Sequence, residues 1–369
     1  MESPWALILP LFINSKTMRF SLFSALLLFC ISCASSTPDN PEKPDVPSDT
    51  TEAVAPVFAK GADISWVTEM EAKGYKFYNA AGEERECTAL LKELGFNAVR
   101  YRVWVNPANG YCNAEDVLKK ALRAQALGMK IMIDFHYSDS WADPGKQPVP
   151  AAWKGYNPDE MATAVANHTT ETLQLLKSNR VEVTWVQVGN EVTNGMLWET
   201  GRVSGSNIRN FGAYFTAGYE AVKSVYPEAL VVLHIDNGWK ASTVQWFFNL
   251  MKAYNVTYDV AGLSLYPSYW DKEIGSYPDW KTKTQQFVEQ VKTFKSLYGK
   301  PVLLAEFGMP ASQPEETKEA LQYILEHTKN YDFFGGIFYW EPESERSRNG
   351  YDYGAFADGR PTAALDAFK

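Results

Sequence analysis

The chain has 369 residues, 46% of them hydrophobic, and a formal net charge of −9 at pH 7. That length holds one large domain or two small ones, and the apolar fraction supplies a sizeable core. The acidic balance, with no basic stripe, argues against nucleic acid or an anionic membrane surface as a charge-matched partner.

The N-terminus reads as a targeting segment. Met18-Arg19 opens a charged start, and Phe20 to Cys30 is an apolar run. The run falls short of the roughly 20 apolar residues that a membrane-spanning helix needs. Cys30-Ile31-Ser32-Cys33 has the form of a bacterial lipoprotein box, which predicts lipidation at Cys33. An ordinary cleaved secretory signal is the alternative. Residues 34–55 are dominated by Ser, Thr, Pro, Asp and Glu and cannot bury a core, so they read as a disordered tether. The expected organisation is a signal peptide or lipoprotein box over 1–33, a tether over 34–55 and one catalytic domain over 56–369. The protein would then be exported, monomeric, and held to a bacterial outer membrane or cell surface only through its lipid; free secretion is the alternative.

Within the domain, short apolar runs alternate with amphipathic stretches. Strands are expected at 61–64, 98–103, 130–135, 183–188, 230–234, 260–265, 302–305 and 336–339. Helical patterns include 114–127, 158–178, 207–225 and 315–329. Eight such βα units predict an α/β fold with a closed parallel sheet, the (β/α)8 TIM barrel. A doubly wound open sheet would carry a glycine-rich phosphate loop after its first strand. Here Asp63-Ile64-Ser65-Trp66 follows instead.

A barrel places its chemistry at the C-terminal ends of the strands. Those ends carry Asp63, Arg100, Arg102, Asp134, His136, Asn190, Glu191, His234, Asp236, Tyr266, Glu306, Trp340 and Glu341. Two apolar runs terminate on glutamates, Thr184 to Glu191 and Pro301 to Gly308, and desolvating a carboxylate needs a reason. Strands four and seven would bring Glu191 and Glu306 to one mouth. A carboxylate pair there is the minimal equipment for cutting a glycosidic bond. Glu191 is assigned as the general acid/base, Glu306 as the nucleophile. Arg100 or Arg102 would hold Glu306 ionised, and Asn190 would reach a sugar 2-hydroxyl.

Sugar rings present apolar C–H faces that suit aromatic platforms. Trp66, Trp104, Trp141, Trp239, Trp270 and Trp340 fall at or after strand ends, with Trp340 read as the floor under the cleaved sugar. Trp153, Trp185, Trp246 and Trp280 read as structural. His136 and His234 end strands three and five and are expected to bind substrate or support the catalytic groups. Their spacing matches no zinc motif. His168 and His327, inside helical patterns, read as surface residues. Asp63, Asp139, Asp236 and Tyr266 complete the candidate substrate-binding set, with Tyr266 placed to tune Glu306. Cys87 and Cys112 fall on the upper rim of neighbouring units, where export favours a disulfide over two free thiols.

The chain resembles glycoside hydrolase family 53, the endo-β-1,4-galactanases. The resemblance runs from about residue 58 to the C-terminus. It rests on Gly61 to Ser65, Asn97 to Trp104, the long segment Asp134 to Gln147, Gln187 to Glu191, and Tyr339-Trp340-Glu341-Pro342. It implies a (β/α)8 fold, a retaining mechanism without a cofactor, and cleavage of β-1,4-galactan in type I arabinogalactan and pectin side chains. Acid/base and nucleophile would match Glu191 and Glu306. Some bacterial members share a calcium site with a long loop after strand eight. Here that region is short and mixes Glu343, Glu345, Asp352 and Asp358 with Arg346 and Arg348, which argues against a dense anionic cage and leaves a structural calcium ion open. The alternatives are another β-1,4-glycanase on the same barrel, a mannanase or xylanase, and a glycan-binding lipoprotein with a dead site.

Overall fold

A computed structural model describes residues 58–269 and 279–369. The signal segment, Cys33, the tether and Trp270 lie outside the described residues. Eight parallel strands close into a barrel within the compact unit Val54–Lys369. They are β1 (Ala59–Asp63), β2 (Ala98–Val103), β3 (Lys130–Phe135), β4 (Trp185–Val188), β5 (Leu230–Ile235), β6 (Val260–Leu265), β7 (Val302–Phe307) and β8 (Phe334–Trp340). β1 pairs with both β2 and β8, which closes the ring. The expected bounds of β2, β3 and β6 match these; β7 runs further and takes in Glu306.

The strands are apolar on both faces because helices cover the outside and side chains fill the inside. Ala59, Ala98, Met132, Trp185, Val232, Val260, Leu303 and Phe338 form the barrel floor. A Cβ on Gly61 would lie 2.3 Å from the Phe338 ring, so glycine there lets the phenyl group plug the floor. Higher up the same inward faces turn polar, with Arg100, Asp134, Gln187 and His234 all fully buried. That change from apolar floor to polar mouth is what positions the site.

The helical patterns become Ala114–Ala126, Pro158–Ser178, Ile208–Val225 and Pro314–Thr328. Asn113 caps the first of these, and Asn157 with Glu160 forms a capping box on the second. After β8 the chain returns as a 3-10 segment, Ala363–Phe368. Its Phe368 ring lies 4.3 Å from that of Phe96, and its carbonyl accepts from Lys60 Nζ at 2.9 Å.

Three expectations are corrected. Cys87 and Cys112 are free and buried, not bridged. Cys87 opens the helix Cys87–Glu93 and faces the apolar layer, where burial raises its thiol pKa. Cys112 Sγ turns instead toward Arg102 Nη2 at 3.5 Å and the Ser65 carbonyl at 3.6 Å. His168 is not a surface group: its ring packs edge-on against Phe135, Tyr137 and Trp153, and burial lowers its pKa to about 4. Trp153 and Trp185 are buried and Trp280 half-buried, whereas Trp246 is 45% exposed.

Candidate active site

Arg100 is the hub of the mouth. Alternation along β2 sends Arg100 and Arg102 inward and Tyr101 into the helix layer. Arg100 Nη1 lies 2.6 Å from Asp63 Oδ2, and Nη2 lies 2.9 Å from both Asp134 Oδ2 and Glu306 Oε1. Nη2 also faces Gln187 Oε1 at 3.1 Å and Asn190 Oδ1 at 3.0 Å. One buried cation facing three carboxylates keeps its charge, and its pKa is raised. Of the two candidate arginines, it is therefore Arg100 that holds Glu306. Arg102 pairs with Glu341 at 3.1 Å.

Glu306 reaches this position through a bulge. The register runs Leu263 to Leu304 and then Ser264 to Glu306, so Ala305 is the extra residue. Strict alternation from the inward Leu303 would turn Glu306 away from the mouth; the extra residue turns it back. Glu191 arrives differently. It lies three residues past β4, after Gly189 at φ +80°, and itself adopts a left-handed conformation with φ 44° and ψ 53°. That conformation is uncommon for a non-glycine residue and aims the side chain back over the opening. Ser264 Oγ lies at hydrogen-bond distance from Glu191 Oε1, 2.7 Å, and Ser264 is the register partner of Glu306 on the adjoining strand. The two carboxyl groups thus converge on one opening.

Their surroundings differ. Burial raises the Glu191 pKa well above the usual carboxylate range, and the negative charges of Glu306 and Asp236 add to the effect. Burial also raises Glu306, to about 7, against the opposing pull of Arg100 and of the Tyr266 hydroxyl, 2.8 Å from Oε2. Proton occupancy therefore favours Glu191, and the pair titrates jointly. A nucleophile must be ionised, so kcat/KM falls as pH drops through about 7. Tyr266→Phe removes a hydrogen bond to the carboxylate, which raises the Glu306 pKa further. The acid limb of the pH–kcat/KM profile moves to higher pH, with activity at pH 5 to 6 falling by about 10-fold. An unmoved limb would remove Tyr266 from this role.

The remaining candidates separate into supports and exposed walls. His136 places Nε2 3.1 Å from Asp134 Oδ2, and its Nδ1 accepts the Ala142 N–H at 3.3 Å; burial lowers its pKa, so it is a neutral brace. Asp63 accepts from Ser65 as well as Arg100. Asp139 ties together the backbone N–H groups of Asn106 and Ala151. Asp236 accepts from Thr193 and Asn237. Asn190 donates to the Ala142 carbonyl at 2.9 Å, which occupies one of its two amide hydrogens. The segment Asp134 to Gln147 folds against the acid/base turn, since Gln147 also donates to the Asn190 carbonyl at 2.8 Å.

An aromatic wall lines the opening. Trp66 lies 5.3 Å from Trp340 and 5.4 Å from Trp141, ring centre to ring centre, all edge-to-face. Trp104 is largely buried behind Trp141, and Arg102 stacks 4.2 Å from the Trp141 ring and 4.7 Å from the Trp104 ring. Tyr351, from the short region after β8, packs 4.7 Å from Trp340. Trp239 stands apart beyond β5, its Nε1 on Asn237 Oδ1 at 3.2 Å.

Behind the wall is a second acid pair. Glu341 accepts from Arg102 and from the Trp66 backbone N–H at 3.2 Å, and burial pushes it up to about 7. Glu343 is fully buried, and its pKa is raised by burial and by the charge and side-chain hydrogen bond of Glu341. A proton retained on folding means stability is lost as pH rises from the unfolded carboxylate range through the folded pKa. Glu343→Gln should match the parent in melting temperature near pH 4 and exceed it by a few degrees at pH 8 to 9. A constant difference across that range would refute a buried protonated Glu343.

Among the described residues, no group of three or more His, Cys, Asp or Glu side chains is arranged to hold a metal ion. Two of the acidic residues weighed for calcium, Glu345 and Asp352, have other engagements. Glu345 pairs with Arg348 at 3.0 Å and accepts from the Asp358 and Gly359 N–H groups, while Asp352 pairs with Arg346 at 3.3 Å.

Ser264, Gln187 and Tyr351 were not candidates on sequence, and Glu343 was weighed only for calcium. Ser264 could have been found: it lies two residues before Tyr266, so alternation puts both on one side. Tyr351 and Glu343 come from irregular backbone, where no periodicity applies.

A closed (β/α)8 barrel with paired glutamates at its C-terminal mouth, one braced by a guanidinium and a phenol and the other desolvated, belongs to the glycoside hydrolases. Residues 59–367 match glycosyl hydrolase family 53, and the chain belongs to that family. A Bacillus subtilis (strain 168) relative, endo-beta-1,4-galactanase, is 32% identical over 316 residues, covering 77% of this chain and 70% of the relative. Among solved structures, a fungal beta-1,4-galactanase superposes with a TM-score of 0.74 at 27% identity, covering 84% of this chain and 98% of its own. The Ignisphaera aggregans GH53 catalytic domain gives 0.75 at 27% identity, over 86% and 97%.

Proposed function

We infer that the protein is a retaining endo-β-1,4-galactanase acting on galactan of the type I arabinogalactan and pectin class. The observation that carries the chemistry is that Ser264, hydrogen-bonded to Glu191, is the strand-register neighbour of Glu306, so that Glu191 and Glu306 stand over one opening in different protonation environments. Membership of the family and the galactanases among its relatives support the substrate.

The reaction runs as a double displacement. Glu306, ionised beside Arg100, attacks the anomeric carbon. Glu191 gives its proton to the departing glycosidic oxygen. A galactosyl-enzyme ester forms on Glu306. Glu191, now a carboxylate, takes a proton from water as that water attacks the anomeric carbon, which frees Glu306 and restores the proton to Glu191. Trp340, Trp141 and Trp66 offer faces for sugar C–H groups, and the second amide hydrogen of Asn190 is the donor toward a sugar hydroxyl.

Product chromatography over time on linear β-1,4-galactan, β-mannan and xylan tests the reading. Mid-sized oligomers released early from galactan alone support it; release from mannan or xylan instead would replace the substrate. Glu191→Ala supplied with azide should yield the β-galactosyl azide, and Glu306→Ala the α-azide; the opposite anomers would exchange the two roles. No cofactor takes part in these steps.

We also propose that the catalytic domain is tethered to a bacterial surface by a lipid on Cys33. The support is the box Cys30 to Cys33 after an apolar run and before a Pro- and Ser-rich stretch. Cys33→Ser in the native host should move the protein from the membrane fraction to the soluble one, and an unchanged distribution would reject the anchor.

A further inference from the structure

We propose that Ser264 is a positioning residue whose hydroxyl turns between Glu191 and His234 as Glu191 alternates between acid and base. The inference rests on the acid/base reading of Glu191 and adds how that group is held in both of its states.

The geometry is a chain of four groups that runs from the half-buried Glu191 into the buried interior. Glu191 Oε1 lies 2.7 Å from Ser264 Oγ; Ser264 Oγ lies 2.8 Å from His234 Nε2; His234 Nδ1 lies 3.1 Å from Asn190 Oδ1. Ser264, His234 and Asn190 are each no more than 5% exposed. The orientation of the Asn190 amide is set from outside the chain. Its Nδ2 donates to the Ala142 carbonyl, and its Oδ1 accepts from Arg100 Nη2 at 3.0 Å. An acceptor oxygen therefore faces His234 Nδ1. Two acceptors at 3.1 Å repel, so the imidazole carries its hydrogen on Nδ1, and Nε2 accepts. The Glu191 backbone N–H also points at Nδ1, at the longer distance of 3.3 Å, and that contact is given up when Nδ1 carries the hydrogen. Burial and Arg100 keep His234 neutral.

A neutral His234 with a free Nε2 leaves Ser264 two roles. Before substrate is bound, the Glu191 carboxyl O–H donates to Ser264 Oγ and the Ser264 O–H donates to His234 Nε2; with substrate in place the carboxyl O–H turns from Ser264 onto the leaving oxygen. When Glu191 has passed that proton to the leaving oxygen, the Ser264 O–H rotates and donates to the new carboxylate. Neither Ser264 nor His234 gains or loses a proton; the one proton transferred is that of Glu191, and water restores it in the second step. One rotor thus supplies an acceptor to the acid and a donor to the base, where a fixed donor would favour only the carboxylate.

The charged groups facing Glu191 are Glu306 from β7, Asp236 beyond β5 and Arg100 from β2. His234 faces Arg100 together with Asp134 and His136 from β3. These shift the proton affinity of both groups, but Ser264 makes the side-chain hydrogen bond to Glu191.

The test compares leaving groups. Ser264→Ala should lower kcat/KM on β-1,4-galactan by about 10-fold or more. On an aryl β-galacto-oligoside with a strongly acidic phenol, whose departure needs no proton, the loss in kcat/KM should stay within about 2- to 3-fold. Nitrogen-15 NMR of the unsubstituted protein at pH 5 to 6 should find His234 in the Nδ1–H form. Equal losses on both substrates would reduce Ser264 to packing, and an Nε2–H tautomer would remove its acceptor; either overturns the proposal. The tautomer is read without any variant, so a Ser264→Ala protein that fails to fold still leaves a decisive measurement. A failure of galactan hydrolysis by the parent protein, or of azide rescue in Glu191→Ala, would count against the functional reading instead.

Discussion

Glu306→Gln should reduce kcat on β-1,4-galactan by about 10^4-fold or more while leaving the fold intact. The amide cannot form the glycosyl ester, so the first chemical step is lost, not slowed. Stability should stay within about 1 kcal/mol of the parent, since Arg100 still has Asp63 and Asp134 as charged partners and the Gln oxygen can accept from Nη2. Substrate binding persists because the aromatic wall is untouched. Single-turnover kinetics and a thermal melt check the two halves separately. Reducing-sugar release at the parent rate would end the assignment of Glu306.

Arg100→Met should behave in the opposite way: activity and folding are lost together. The substitution leaves Asp63, Asp134 and Glu306 facing one another without the guanidinium that lies within 2.9 Å of each. Breaking a buried ion pair by removing one partner typically costs about 3–5 kcal/mol, and here three carboxylates lose the same partner. Each must take up a proton or repel its neighbours, so the deficit should shrink in acid, where protonation is easiest. A melting temperature lower by roughly 10 °C at pH 7, with a smaller gap at pH 4 to 5, is expected. Arg100→Lys keeps the charge but cannot reach three carboxylates with one ammonium, so it should fall between Met and the parent. A stable Arg100→Met protein with the same pH dependence as the parent would show that the network is not coupled in this way. The contrast between the two variants distinguishes the reacting carboxylate from the cation that holds it.

Several features were legible in the chain because they are periodic. Apolar runs in regular alternation with amphipathic stretches specify the barrel, since a strand covered on both faces must be apolar on both. Positions two apart share a face, so Arg100 and Arg102 were both expected inside. The barrel rule then places Glu191 and Glu306 at the mouth. Where periodicity fails, the reading failed with it. The choice between Arg100 and Arg102 as partner of Glu306 depended on which carboxylate each met across the barrel. The disulfide expectation followed from rim positions alone and could not see that Cys87 enters the apolar layer while Cys112 turns to Arg102. His168 lies on a helix, but on the side that meets Trp153 and the outer face of β3.

The amino-acid sequence by itself determined which residue types stand at the ends of which strands, because burial on two faces and the period of two leave little freedom along a barrel strand. Only the tertiary structure decided how those residues meet. Ala305, a single extra residue in β7, turns Glu306 inward against the alternation set by Leu303, and its place is settled by pairing with β6 across a contact forty residues away in the chain. The proton preference of Glu191 arises in the same way, from desolvation and from the charges of Glu306 on β7 and Asp236 just beyond β5. Such effects are sums over neighbours brought together by closure of the sheet, and no local pattern encodes them.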